Sequence, residues 1–183
     1  MKLLIHICCA PCSVAIAQDL LEKPDIKLEG FFYNPNIHPE EELIKRRSAV
    51  AAMSEDLNLQ VSYDDSCMTD YWRKSLSEDK LARCNVCYAL RLDRAAQFAR
   101  DHGFDAFTTS LLISPWQNHE LIREQGEQAA SKYHLQFYYE DFRPLYRRGR
   151  EIARGKNWYM QKFCGCFYSY SESTHPKKPI YFT

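Results

Sequence analysis

The chain opens on an apolar run over residues 2–7, meets three cysteines, and passes at once into a helical pattern: MKLLIHICCAPCSVAIAQDLLEK. Four of these six residues, Leu3, Leu4, Ile5 and Ile7, are apolar, which suits a buried strand. Val14, Ile16, Ala17, Leu20 and Leu21 then mark one face of a helix over residues 13–22. A strand handing directly to a helix is the opening unit of an α/β fold, and that junction is where such folds carry ligand chemistry. Cys8, Cys9 and Cys12 occupy it.

The rest of the chain repeats the alternation. IKLEGFFYNPN reads as a second strand closing on a Pro/Asn turn, and the acidic PEEE starts a helix to about Leu57. LQVSYDD is a third strand, and residues 69–102 read as helix, closing on Gly103. DAFTTSLLIS is a fourth strand, NHELIREQGEQAASKY a helix and LQFYYEDF a fifth strand. The tail from Arg143 reads as helical and basic, then irregular after Cys166. Strands alternating with helices predict a mostly parallel sheet with helices on both faces, a Rossmann-like single α/β domain over residues 1–183. The basic segment at about 143–170 carries a CxC motif. Ligands bind at the carboxyl ends of such strands, which places Cys8 and Cys9, Tyr33 and Asn34, Asp64 and Asp65, and Ser114 at one end of the sheet.

Seven of the eight cysteines fall in three tight groups: Cys8, Cys9 and Cys12; Cys84 and Cys87; Cys164 and Cys166. Cys67 stands alone and reads as a bystander, and Cys12 as a packing residue under the loop. Cys84 and Cys87 on a helix put two sulfurs on one face, which suits half of a metal site, a dithiol redox pair or two incidental buried cysteines. With Cys8 and Cys9 also present, half of a four-thiolate site is favoured. Zinc and an iron–sulfur cluster both suit four thiolates. Consecutive ligands point in divergent directions, which favours the larger cubane, a [4Fe–4S] cluster, without excluding zinc. Gly165 frees the backbone between Cys164 and Cys166, so this pair suits a reducible disulfide or a second metal.

The segment FRPLYRRGREIARGKNWYMQKF sets Arg143, Arg147, Arg148, Arg150, Arg154 and Lys156 against one acid, Glu151. Arg147, Arg150 and Arg154 line one helix face, beside Tyr146, Trp158 and Tyr159. That combination suits phosphate contacts and base stacking, as well as a plain solvated face. Lys plus Arg and Asp plus Glu number 24 each, so attraction to an anionic partner must be local. No apolar run approaches the roughly 18 residues of a membrane span, and no export signal precedes the first strand. Thiol-rich chains of this kind are expected in a reducing cytoplasm.

HICCAPCS, FFYNPNIHP, RCNVCYALRL, TSLLISPWQN and YRRGREIARGKNWYMQKFCGCFYS, in that order, resemble the cobalamin-independent epoxyqueuosine reductases, the QueH family. The resemblance runs through nearly the whole chain and implies a HUP-type nucleotide-binding fold. It implies reduction of the epoxide of epoxyqueuosine to the cyclopentene of queuosine, at the wobble position of tRNA. It further implies a [4Fe–4S] cluster on Cys8, Cys9, Cys84 and Cys87 and a redox-active pair at Cys164 and Cys166. An additional iron ion beside the cluster stays open. Partners are then tRNA carrying epoxyqueuosine and an unidentified electron donor, with Arg147, Arg148, Arg150 and Arg154 as the tRNA-binding candidates. Tyr88, His6, Asp64 and Asp65 are candidate proton donors. Two rivals stand beside this reading: a zinc-stabilised RNA-binding module without catalysis, and an ATP-dependent tRNA-thiolation enzyme. CCAPCS offers thiols and a proline where the latter needs a phosphate loop.

Overall fold

A computed structural model of the chain describes residues 1–66 and 79–173, with the side chain of Phe167 outside that description. Cys67 and the first part of the helix expected from residue 69 lie outside the described residues. Five strands, β1 (Lys2–Ile7), β2 (Lys27–Tyr33), β3 (Val61–Asp64), β4 (Ala106–Thr109) and β5 (Gln136–Phe137), form one sheet in the order β3-β2-β1-β4-β5. Every pairing is parallel. The central strand reads as a continuous apolar run because both its faces are covered: Leu3, Leu4, Ile5, His6 and Ile7 are all fully buried.

Among the described residues six α-helices accompany the strands: α1 (Ala10–Leu21), α2 (Glu40–Leu57), α3 (Lys80–Asp101), α4 (His119–Tyr133), α5 (Tyr146–Gly155) and α6 (Phe167–Glu172). α1 packs with α2 and α5, while α3 packs with α4, and both α1 and α3 lie against the central strands. Phe31, Phe32 and Phe107 fill the space between these layers and the sheet with Leu3, Ile5 and Ile16. From β1 the chain builds outward to β2 and β3, then returns to the other side of β1 with β4 and β5. The carboxyl ends of β1 and β4 therefore flank the switch-point crevice where such folds bind ligands.

Four boundaries differ from the sequence pattern. α1 begins at Ala10, three residues earlier than the apolar face suggests, because Pro11 sits in its first turn with a backbone angle already suited to helix. β4 stops at Thr109, whose hydroxyl accepts the Leu111 N–H at 3.2 Å and starts a 3-10 turn over Ser110–Ile113. With its neighbour ended, β5 keeps only two residues and one further ladder bond, from Tyr138 N–H to Phe107 O. The segment directly after the CxC is helical as far as Glu172: Cys166 caps α6, its sulfur 3.4 Å from the Ser169 nitrogen, while residues 174–183 lie outside the described residues.

α5 docks on the start of α1 at very close range. A Cβ added at Gly149 would stand 2.5 Å from the Pro11 carbonyl oxygen, so only glycine permits the approach. The basic helix is thereby fixed beside the cysteine loop.

Candidate active site

Cys8 sits at the end of β1, and its N–H donates to Ser110 Oγ at 2.9 Å, stitching it to the end of β4. Cys9 is the N-cap of α1 and Cys12 lies in its first turn. The three sulfurs all lie within 4.8 Å of one another, and Cys8 Sγ is 3.6 Å from Cys9 Sγ. The adjacent sulfurs thus lie close together, against the divergence expected of consecutive ligands, although Cys9 itself is extended (φ −172°, ψ 160°). Gln161 donates through Nε2 to Cys9 Sγ at 2.8 Å and to Cys12 Sγ at 3.5 Å. Hydrogen bonds from Cys12 and Cys9 hold the Cys8 thiol well below its usual range despite burial. Burial pushes Cys9 up, and donation to Cys8 pushes Cys12 up.

Cys84 and Cys87 project from the first turns of α3 into a small cavity of about 20 Å³, which Cys164, Cys166, Tyr88 and Arg91 also line. A larger cavity of about 310 Å³ holds Cys8, Cys12, Arg150 and Trp116, and shares Arg91, Gln117 and Cys164 with the small one. Arg91 faces both cysteine groups. Its Nη1 lies 3.9 Å from Cys87 Sγ, and Nη2 donates to Asn34 Oδ1 at 2.6 Å. Asn34 in turn donates to the Ile7 carbonyl at 2.9 Å, tying the arginine to the end of β1. Burial works against the Arg91 charge, but Cys87, Cys8 and Cys164 outweigh it and keep the guanidinium protonated. Burial pushes the Cys87 thiol up to about 12.

The CxC is held by its backbone. Arg46 donates to the carbonyls of Phe163 and Cys164, both at 2.9 Å, and pairs with Glu42 Oε1 at 2.8 Å. Tyr159 donates to the other Glu42 oxygen at 2.5 Å. His38 N–H donates to Gly165 O at 2.8 Å. Gly165 takes φ +131°, and a Cβ there would meet Ile37 at 3.0 Å and Arg46 at 3.2 Å. The exposed Cys164 sulfur receives Gln117 Nε2 at 3.6 Å, and Tyr88 donates its hydroxyl to Gln117 Oε1 at 2.7 Å. All seven described cysteines are free thiols.

Of the four candidate proton donors, Tyr88 alone lines either cavity. Its phenol is pushed up by burial and then by Cys84, so it stays protonated. His6 is fully buried, with Nε2 donating to Tyr33 O and Nδ1 accepting from Thr109 Oγ1. Burial, then Arg91, lowers His6 to about 3, so the ring is neutral and structural. Asp64 is taken up by Ser66 and Arg94, and Asp65 by Arg47. The basic helix divides similarly. Arg150 reaches the larger cavity, Arg148 donates to Gln18 at 3.0 Å, Arg147 pairs with Glu151, and Arg154 is exposed.

Arg46, Glu42 and Arg91 were not evident as site residues from sequence. A signal exists for each: Glu42 and Arg46 fall on the buried stripe of α2 with Ala49, Val50 and Met53, and Arg91 on that of α3 with Tyr88, Leu92 and Ala95. A charge on an apolar stripe needs a buried partner.

Soft thiolates are the donors that iron–sulfur clusters and zinc both take. Six of the sulfurs here fit such a group, since Cys8, Cys12, Cys84, Cys87, Cys164 and Cys166 line two cavities that share Arg91, a buried cation to offset their charge. Cys9 lines neither cavity, but its sulfur lies 3.6 Å from that of Cys8. The family described as "Epoxyqueuosine reductase QueH" matches residues 3–172. The chain belongs to the QueH family. A QueH protein of Acinetobacter baylyi is 38% identical over 180 residues, covering 92% of this chain and 80% of the relative. One from Dehalococcoides mccartyi is 33% identical over 179 residues, covering 97% of this chain and 98% of the relative. Among solved structures, the U34-tRNA thiolase NcsA from Methanococcus maripaludis with its [4Fe-4S] cluster is similar at a TM-score of 0.44 and 13% identity. That likeness covers 86% of this chain and 66% of the other, and at such distance it says nothing about chemistry. As a QueH protein the chain is an oxidoreductase, which sets aside a module without catalysis. No helix among the described residues is long and apolar enough to cross a membrane.

Proposed function

We propose that this chain reduces the epoxide of epoxyqueuosine in tRNA to give queuosine, drawing on a [4Fe–4S] cluster held by Cys8, Cys9, Cys84 and Cys87 and on a Cys164/Cys166 dithiol. The observation that supports it most is the placement of Cys164, which lines the cavity of Cys84 and Cys87 and also the cavity of Cys8 and Cys12. A redox thiol there touches substrate space and metal space at once. When bound, the cluster supplies single-electron transfer and a Lewis-acidic iron for the epoxide oxygen.

The chain's own residues close the balance. An epoxide that becomes an alkene takes two electrons and two protons and releases water. A dithiol that becomes a disulfide gives up two electrons and two protons. Cys164 and Cys166 thus match one turnover, and an external two-electron donor must then restore them. Tyr88, protonated and at the cavity wall, relays one of these two protons to the substrate oxygen and is reprotonated by the one the dithiol releases. Arg91 offsets the negative charge of the thiolates around it. Cys12 is outside the proposed ligand set but within 4.8 Å of Cys8 and Cys9, which offers a further thiolate to an additional iron ion beside the cluster.

Cys164→Ser and Cys166→Ser, assayed on tRNA carrying epoxyqueuosine with excess reductant, test the dithiol. Each is expected to keep its iron and lose multiple turnover. Full multiple turnover in either, with iron intact, overturns the dithiol role.

A further inference from the structure

Trp116 is 80% exposed, the most exposed of the large apolar side chains among the described residues, and it stands at the larger cavity. Its backbone is braced. Pro115 precedes it, its N–H donates to Ser114 Oγ at 3.3 Å, and Gln117 N–H donates to Ser114 O at 3.4 Å. The Gln117 side chain is itself held by Tyr88 and faces Cys164. An indole kept in water on so fixed a turn loses little freedom when something stacks on it.

The cavity beneath it, about 310 Å³, is at the small end of ligand pockets and has room for one nucleotide, not a run of them. Its wall also carries Arg150 and Lys162, neither with an acidic partner among the described residues. A polymer that sends one nucleotide into this cavity leaves its neighbours at the mouth, unstacked and with their phosphates near two cations. Aromatic side chains replace lost base stacking in that situation.

We infer that Trp116 is the platform on which a base flanking the reacting nucleotide stacks, with Arg150 and Lys162 receiving the adjacent phosphates, so that the occupant of this mouth is a single-stranded RNA loop. This rests on the tRNA reading above. Trp116→Ala, Trp116→Phe and wild type, each with iron content measured, are compared for affinity to tRNA carrying epoxyqueuosine and for activity on the free epoxyqueuosine nucleoside. Trp116→Ala is expected to weaken tRNA binding about 5- to 150-fold beyond any change on the nucleoside, and Trp116→Phe to recover most of that loss. Lys162→Ala is expected to reduce the slope of log affinity against log salt by about 0.7. Equal tRNA affinity in Trp116→Ala and wild type overturns the inference while leaving the function intact. Failure of the wild type itself to bind this tRNA overturns both.

Discussion

Arg46 grips the backbone of Cys164, its Nη1 donating to the Cys164 carbonyl at 2.9 Å while Nε holds Glu42 at 2.8 Å. Each of the three guanidinium nitrogens has a partner, two carbonyls and one carboxylate, and the group lies over the face of Phe163 with its ring centroid 5.5 Å away. An ammonium group at this place satisfies fewer of them. Arg46→Lys is expected to cost about 1–3 kcal/mol through buried acceptors left unpaired. Arg46→Met, which strands Glu42 as a buried charge, is expected to cost about 3–5 kcal/mol. Urea unfolding of the variants against wild type measures both, and equal stability of Arg46→Met contradicts the clamp.

Gly149→Ala separates helix propensity from packing. On an open helix the change stabilises by up to about 1 kcal/mol. Here the new methyl meets the Pro11 carbonyl, so a loss of about 1–3 kcal/mol is expected as α5 is pushed off α1. A gain in the urea midpoint contradicts the close approach.

Tyr88→Phe keeps the ring and removes the only candidate proton donor of the four that lines the cysteine cavity. Turnover on the modified tRNA is expected to fall about 10²-fold or more with iron content unchanged. Undiminished turnover assigns the proton to another group.

His119 at the start of α4 is buried, and that burial, then Arg143, lowers its pKa, against the opposing pull of Asp141 and Glu120. The unfolded chain therefore binds this proton first. Stability due to a neutral His119 is fully present above about pH 6.5 and declines as the pH falls below it. Denaturant unfolding at pH 7 and pH 5 is expected to show a smaller loss in His119→Asn than in wild type. An identical loss places the acid sensitivity elsewhere.

How far the sequence reaches depends on which interactions are local. β1, the junction at Cys8 and the helical spacing of Cys84 and Cys87 follow from apolar periodicity over a few residues, and the parallel sheet follows from their alternation. The end of β4 depends instead on one hydroxyl, Thr109, capturing a neighbouring N–H. The CxC clamp joins Glu42 and Arg46 to residues more than a hundred positions away, and Arg91 reaches Asn34 and feels the charge of Cys8 from a distant part of the chain. Nothing local separates such arginines from surface ones, except that they fall on the apolar stripes of α2 and α3. The basic tail was evident as a charge cluster, yet which of its arginines reaches the cavity is decided by the contact of Gly149 with Pro11, a feature of tertiary packing.

Iron and acid-labile sulfide analysis of anaerobically purified protein tests the cysteine site most directly, run beside Cys84→Ser, Cys87→Ser and Cys12→Ser. About four iron and four sulfide per chain are expected in wild type, with broad absorbance near ~400 nm, and sulfide is lost in Cys84→Ser and Cys87→Ser but retained in Cys12→Ser. Colourless wild-type protein carrying zinc and no sulfide contradicts it.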